Sequence, residues 1–354
     1  MKVFKIIIIV SIVLIVVAGI MGFKTFRDAG EFREIRPHFA GRITVVKGVQ
    51  SSEDITIHPL TGMAFISSDD RRLRFQSDKG RQGAIFGYPI TSDFPRIVNL
   101  TEGFQKPFHP VGIGLYNSRK GTVSLFVVNH TREGQFVEIF DFNGRRLVHR
   151  ESVSGSLMSS PNDVLPVGPR KFYVTNDHGN QSKLGRALEE YLQLARSNVL
   201  YYDGSHFRKV AGGLKYANGI NRSPDGRRVY VASTIGHKIT VYDRDPRTGS
   251  LHFRRAVELA TGPDNIEVDE EGRLWVGAHP KLLTFVKYSK DPDRLSPSQV
   301  LRVTLRGPGH DRVEEVYLNN GSPLSGSSVA AYFDRVLLIG SIFDPRFLTC
   351  KMNE

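Results

Sequence analysis

Cysteine is nearly absent from this chain of 354 residues. Cys350 is the only one, so no disulfide can form within the chain; its thiol is either buried in the last strand or free to pair with another chain, and burial is the expectation. Also missing are a Cys/His finger spacing, a dense basic tract and a basic helix. Lys and Arg outnumber Asp and Glu by 48 to 36, a net charge of +12, but the cations are scattered, which argues against a nucleic-acid partner. A basic surface, or one facing anionic lipid, accounts for the charge. No Pro/Ser-rich or charged linker interrupts the chain beyond residue 40, so everything after the N-terminal segment reads as one domain.

Long apolar runs are missing with one exception. Ile6 to Phe23 is uncharged over 18 residues, with Lys2 and Lys5 before it and Lys24 and Arg27 after it. That length reaches what a bilayer-spanning helix needs. A cleaved signal peptide is the alternative, with Val16-Val17-Ala18 as a small-residue cleavage site. The run stays apolar beyond that point, so residues 1–23 are read as a retained signal-anchor, 24–40 as a polar, charged stem and 41–354 as the folded domain. Flanking charge is nearly balanced and says little about orientation. Sequons at Asn99, Asn129 and Asn180 suit a lumenal or extracellular glycoprotein; those at Asn221 and Asn320 are each followed by Pro, which disfavours use.

What the chain has in quantity is a repeated phrase. Its copies are Glu53-Asp54-Ile55, Val111-Gly112-Ile113, Asn162-Asp163-Val164, Asn218-Gly219-Ile220, Asp264-Asn265-Ile266 and, more weakly, Ser327-Ser328-Val329. Most are followed by a turn and then a β-rich run such as Leu125-Phe126-Val127-Val128 or Leu274-Trp275-Val276, and tight turns such as Asp225-Gly226 and Glu271-Gly272 recur between strands. A period of roughly 45–60 residues built of short strands predicts an all-β chain, a six-bladed β-propeller. One segment breaks the pattern. Leu184 to Leu200 carries Leu184, Leu188, Tyr191, Leu192 and Ala195 at helical spacing, which predicts an amphipathic helix on one rim, as a cap, a lid or a contact surface.

Equivalent positions in the blades of a propeller converge on its channel. Glu53, Asn162, Asn218 and Asp264 would therefore meet, although they spread over more than 200 residues. Ile or Val in the third place is an apolar anchor for each blade. The first two places have no such account, because buried carboxylates need a counter-charge and no Lys or Arg occupies an equivalent position. A hard cation meets that need. Oxygen donors of this kind suit Ca²⁺, whereas Zn²⁺ prefers His and Cys, and Mg²⁺ a tighter, wetter octahedron.

The stretches SSEDI, SSPNDV, YANGINRSPDGRRVYVAS, GHKITVYD, GPDNIEV, LWVGAHP and NNGSPLSGSSVAAYFDRVLLIGSIF together resemble the paraoxonase/arylesterase family, in order over roughly residues 40–354. The resemblance implies two calcium ions in the tunnel: a catalytic one held by Glu53, Asn162, Asn218, Asp264 and Asn265, and a deeper, structural one held by Asp54, Asp163 and the backbone carbonyl of Ile113. It implies hydrolysis of lactones and aryl esters, with phosphotriesters in some members. Calcium would polarise the carbonyl and a histidine pair would activate water. His130 matches the outer histidine of that pair, but the inner one falls at Val111, which accepts no proton. His109 or Asp264 would have to substitute as base. The family's disulfide is also incomplete: Cys350 matches one partner and Arg42 stands in place of the other. Such a loss costs about 2–5 kcal/mol unless compensated.

His178 and His279 lie in family-like motifs and read as hydrogen-bonded structural or wall residues, Trp275 as a core residue and Tyr216 as pocket wall. The first functional expectation is thus a membrane-anchored, calcium-dependent arylesterase or lactonase acting on a small ester or lactone. The second is a non-enzymatic relative of the kind that assists assembly of membrane proteins such as ion channels; the anchor, Val111 and the missing disulfide fit it. A strictosidine-synthase-like or lactonohydrolase propeller shares the fold without these motifs.

Overall fold

The computed structural model of the chain describes residues 2–76 and 82–353. Six four-stranded antiparallel sheets are arranged as the blades of a propeller, and the six copies of the phrase begin or lie in the six inner strands. These are Asp54–Ile57, Pro110–Asn117, Pro161–Gly168, Ala217–Arg222, Gly262–Val268 and Ser327–Phe333, for blades one to six. In blades two to six the pairing with the next strand slips at the phrase itself: between Pro110 and Ile113, Pro161 and Val164, Ala217 and Ile220, Pro263 and Ile266, and Ser327 and Val329. A bulge re-aims side chains that regular alternation would send to opposite faces. Both places are polar at three of these bulges, Asn162-Asp163, Asp264-Asn265 and Ser327-Ser328, whereas blade two has Val111-Gly112 and blade one has Glu53-Asp54 where the pairing does not slip.

Close packing of the inner strands explains the glycines among them. A Cβ on Gly112 would stand 2.5 Å from the Asp163 Cα and carboxylate, and one on Gly219 would stand 2.6 Å from the Asn265 Cα. Blades two and four therefore carry glycine where blades three and five carry Asp163 and Asn265. Apolar side chains fill the spaces between blades. Val111, Phe126 and Val128 of blade two pack on Val164, Phe172 and Val174 of blade three, each such side chain contributing roughly 1.5–3 kcal/mol when fully buried. Trp275 is a core residue: it stacks on Tyr332 at 4.6 Å and donates its indole N–H to Asp269 at 2.8 Å.

The ring closes without a disulfide. Strand Gly41–Lys47 pairs antiparallel with Arg346–Met352 over its full length, joining the two ends of the chain in blade six. Ile43 lies opposite Cys350 and Arg42 opposite Lys351. Cys350 is buried, and burial pushes its thiol up to about 12, which leaves it inert.

Helix α1 spans Lys2–Asp28 and continues beyond the apolar run. It is long and apolar enough to cross a membrane; a signal sequence would satisfy the same criterion. The segment after it is docked rather than free, and His38–Phe39 adds a fifth, outermost strand to blade five. Three short helices follow: α2 (Arg71–Gln76), α3 (Lys183–Tyr191) and α4 (Leu282–Lys290). The predicted helix over 184–200 is corrected to α3. Ser182 caps it by accepting from the Gly185 N–H, and the chain turns at Gln193 with φ 53°. The β-favouring run that follows is claimed by the strand Ser197–Tyr202. The sequon at Asn129 is a second correction. Its amide is fully buried and donates to Glu138 and to the Pro107 carbonyl, so it cannot carry a glycan on the folded chain; Asn99 is exposed.

Candidate functional site

At one end of the tunnel the first two places of the phrase bring Glu53, Asn162, Asn218, Asp264 and Asn265 together. Four of these five residues have a buried oxygen with no hydrogen-bond partner: Glu53 Oε2, Asn162 Oδ1, Asn218 Oδ1 and Asn265 Oδ1. Their other polar atoms are held. The Asn162 amide donates to Asp177 at 3.3 Å, that of Asn218 to Thr234 at 3.1 Å, and that of Asn265 to the Glu53 carbonyl at 3.1 Å. In each case the N–H side is anchored and the oxygen is left open. Among the described residues no group of three or more His, Cys, Asp or Glu is arranged to hold a metal ion. The set is two carboxylates with three amides, a donor list for a hard cation and not for zinc.

One cation does face Glu53. Arg71, on α2 and outside the phrase, places Nη2 3.5 Å from Glu53 Oε2 and donates to the Pro110 carbonyl at 3.0 Å. Repeat phase gave no hint of it. Desolvation nevertheless dominates and pushes Glu53 up to about 7, opposed by Arg71 and assisted by Asp264.

One layer deeper lie Asp54 and Asp163. Asp54 accepts from the Ile55 and Ile113 N–H groups at 2.9 and 2.7 Å; Asp163 accepts from Val164 and Ile220, each at 2.7 Å. Burial raises both carboxyls well above the usual range, and the charge of Asp163 adds to the effect on Asp54. The next layer adds a residue the phrase did not mark. Glu267 accepts from Thr56 of blade one at 3.2 Å and from Asn221 of blade four at 3.3 Å. It too is raised, by desolvation first and then by Asp54. Its place two residues beyond Asn265 on the same strand was the available signal.

The histidines divide into two groups. His130 Nε2 donates to the Pro161 carbonyl at 2.6 Å, and His109 Nδ1 lies 3.1 Å from Asp69. Val111 is packed in the core between blades two and three. His279, read from sequence as a structural or wall residue, sits on the site itself: its Nε2 is 2.8 Å from Asp264 Oδ2, while its buried Nδ1 has no partner. The hairpin turn at Glu271-Gly272 sets this contact by pairing Gly262–Val268 with Leu274–His279. His178 forms a second network, with Nδ1 2.7 Å from Asp177 and Nε2 3.0 Å from Glu190 on α3. Those two partners outweigh desolvation and raise His178 to about 9.

A cavity of about 170 Å³ opens beside Asn218, Asp264 and His279. Ile235, Leu282, Phe285 and Ile342 make its apolar wall; Tyr216, in a left-handed conformation with φ 58°, lines it, as do Glu190 and Tyr191 of α3. Thr25 and Ala29 complete the lining, so the end of α1 reaches the site. The arrangement joins an apolar pocket, unpartnered oxygens and an Asp–His pair.

The arylesterase family model matches residues 34–352. The chain is 37% identical to serum paraoxonase/arylesterase 2 of Gallus gallus over 331 residues, covering 90% of this chain and 91% of that one. It is 36% identical to serum paraoxonase/arylesterase 1 of Homo sapiens over 329 residues, again covering 90% of this chain and 91% of that one. Two solved structures are similar at low identity: luciferin-regenerating enzyme, with TM-score 0.56, 12% identity and coverage of 88% of this chain and 95% of that one, and a gluconolactonase from Xanthomonas campestris, with TM-score 0.55, 18% identity and coverage of 91% and 99%. These two speak to the fold alone. With a family match over the whole propeller and relatives more than a third identical over nine-tenths of their length, this chain belongs to the arylesterase family.

Proposed function

We propose that the protein is a membrane-anchored, calcium-dependent hydrolase of aryl esters and lactones. Family membership supports the ester-hydrolase class. One observation carries the rest: the buried oxygens of Asn162, Asn218 and Asn265, which have no partner, and of Glu53, which has no hydrogen-bond partner and only Arg71 at 3.5 Å, beside an apolar cavity. With Asp264 they match the oxygen donors calcium takes. Glu53, Asn162, Asn218, Asp264 and Asn265 would hold the catalytic ion, and Asp54, Asp163 and the Ile113 carbonyl a structural one. When bound, calcium supplies Lewis acidity toward an ester carbonyl and its developing oxyanion.

The chain's own groups do the remainder. The apolar wall takes up the aryl or acyl part of the substrate and excludes water. Because Asp264 is a carboxylate, His279 presents Nε2–H to it and keeps Nδ1 as the basic nitrogen. We assign to that nitrogen the proton of the attacking water and its return to the leaving oxygen. His109 and His130 flank the site, each engaged with its own partner. Anchoring through α1 fits the exposed apolar residues Phe32, Leu184, Leu188 and Leu192 nearby, Lys24 of α1 being 3.3 Å from Gln193 just after α3. The propeller then lies on the lumenal or extracellular side, where the exposed sequon at Asn99 is usable.

A second reading, a non-enzymatic assembly factor for membrane proteins, is favoured by Val111, packed into the core where the resemblance expects a histidine. Full-length protein in detergent micelles, assayed on phenyl acetate and on a γ- or δ-lactone with calcium and after chelation, decides between the two. Calcium-dependent turnover is expected. No turnover in a sample whose Tm still rises with calcium would overturn the hydrolase and turn the search to protein clients.

A further inference from the structure

The segment that joins α1 to the propeller is tied to the candidate site by a chain of specific contacts. Helix α4 begins after Lys281, which offers it no side-chain cap. Its first turn is served from far away in sequence. The Leu282 N–H donates to the Ala29 carbonyl at 2.9 Å. The Thr284 N–H donates to Glu31 Oε1 at 2.9 Å, and the Thr284 hydroxyl to Oε2 at 2.7 Å. Gly30 permits the approach: its φ is 74°, and a Cβ there would stand 2.2 Å from the Pro280 carbonyl oxygen. Glu31 therefore does for α4 what an N-cap residue does, with its charge at the favourable end of the helix dipole.

From α4 the contacts lead inward. Phe285 stacks on the His279 ring with centroids 4.0 Å apart, and His279 is held by Asp264. Leu282, Leu283 and Val286 of the same helix line the cavity, as do Thr25 and Ala29 at the start of the tie. We infer that Glu31 is a positioning residue for the reaction: by capping α4 it fixes the Phe285–His279 stack and the apolar wall, so that the membrane-proximal segment sets the geometry of the site. Rings and walls held within a fraction of an ångström are what productive orientation requires. This rests on the hydrolase reading. Attachment of the segment does not need Glu31, because Arg33 pairs with Glu315 and His38–Phe39 pairs with the outer strand of blade five.

The test compares wild type, Glu31→Ala and Glu31→Gln as full-length protein in detergent micelles. It reads kcat and KM on phenyl acetate and on a bulkier aryl ester, together with hydrogen exchange of the α4 amides. Glu31→Gln keeps an acceptor for the Thr284 N–H and is expected to stay near wild type. Glu31→Ala is expected to raise KM about five- to tenfold, more for the bulkier ester, with a smaller fall in kcat. Exchange in α4 should quicken by about tenfold, the loss of one cap, while the calcium-induced rise in Tm persists. Unchanged KM and kcat in Glu31→Ala, with or without faster exchange, would overturn the positioning role and leave Glu31 a tether. A wild type without turnover would overturn the hydrolase reading itself, and the positioning role with it.

Discussion

The two ends of the tunnel are built from the same six inner strands and differ in what their oxygens do. At the upper end the amides of Asn162, Asn218 and Asn265 are pinned through nitrogen and leave their oxygens without partners. At the lower end both carboxylate oxygens of Asp54 and of Asp163 accept backbone N–H groups, and Glu267 is held by Thr56 and Asn221. The upper end opens on an apolar cavity of about 170 Å³, the lower end on a more polar one of about 400 Å³ lined by Glu267, Asn221 and Arg222. A buried polar atom without a partner is costly. Where several converge, a bound cation would offset the cost. Where carboxylates are saturated by backbone donors, they hold strands together whatever else they bind. On the proposed function, the upper end is the place for chemistry and the lower end the place for stability.

The sharpest way to break this comparison is one isosteric change at each end. Asp264→Asn removes a charge from the candidate donor set and replaces the charged acceptor that orients His279 with a neutral amide. It should lower kcat/KM for phenyl acetate by on the order of a thousandfold with little change in Tm. Asp54→Asn at the lower end should do the reverse, lowering Tm by several degrees with turnover of the surviving folded protein within about tenfold. Comparable kinetic losses from both would erase the division of labour.

A pH titration in chelator sharpens the same contrast. Glu53 is pushed up to about 7 from an ordinary glutamate value of 4.5. Between those two values the folded chain keeps a proton that the unfolded chain has released, so stability falls as pH rises through this window. The penalty is complete above about 7 and amounts to on the order of 3 kcal/mol. Asp54 and Asp163, also raised, act in the same direction. Tm in chelator should therefore fall from pH 4.5 to 7, and saturating calcium should abolish the slope. A flat profile in chelator would mean that these carboxylates do not carry the desolvation cost their burial implies.

Glu267→Gln is a smaller change confined to the lower end. It removes one carboxylate charge from beside Asp54 and preserves an acceptor for Thr56. In chelator it should raise stability by about 1 kcal/mol, by removing a buried charge that is costly to desolvate and that repels Asp54. With calcium the gain should shrink or change sign, because the ion then loses a nearby negative charge. Thermal melts of both proteins in both conditions check the sign.

Most of the fold was legible because one local device repeats. A bulge falls at the same phrase in five inner strands, and the phase of that phrase gives the blades and the candidate site residues. Features outside that phase were not legible. Arg71 comes from a short helix between strands, and Glu31 acts across a separation of 253 residues. The helix over 184–200 was overextended because its later apolar residues have a second use, pairing in blade three. His279 was legible as a hydrogen-bonded wall residue, and it is both; what its motif could not show is the partner, because the hairpin decides that Asp264 stands beside it.

The smallest expected effect concerns His130. Its Nε2 donates to the carbonyl of Pro161, the residue before Asn162, so this nitrogen carries a proton in the resting protein, and on the proposed mechanism the ring has a positioning role while His279 Nδ1 takes the proton. Glutamine presents an N–H at similar reach. His130→Gln should keep kcat/KM within about threefold, whereas loss of a general base costs roughly a hundredfold or more. His279→Gln, which preserves the bond to Asp264 but removes the basic Nδ1, should show that larger loss. Measuring kcat/KM of the two variants against pH ranks the histidines directly. A large loss in His130→Gln with a small one in His279→Gln would move the proton-accepting role to the rim between blades two and three.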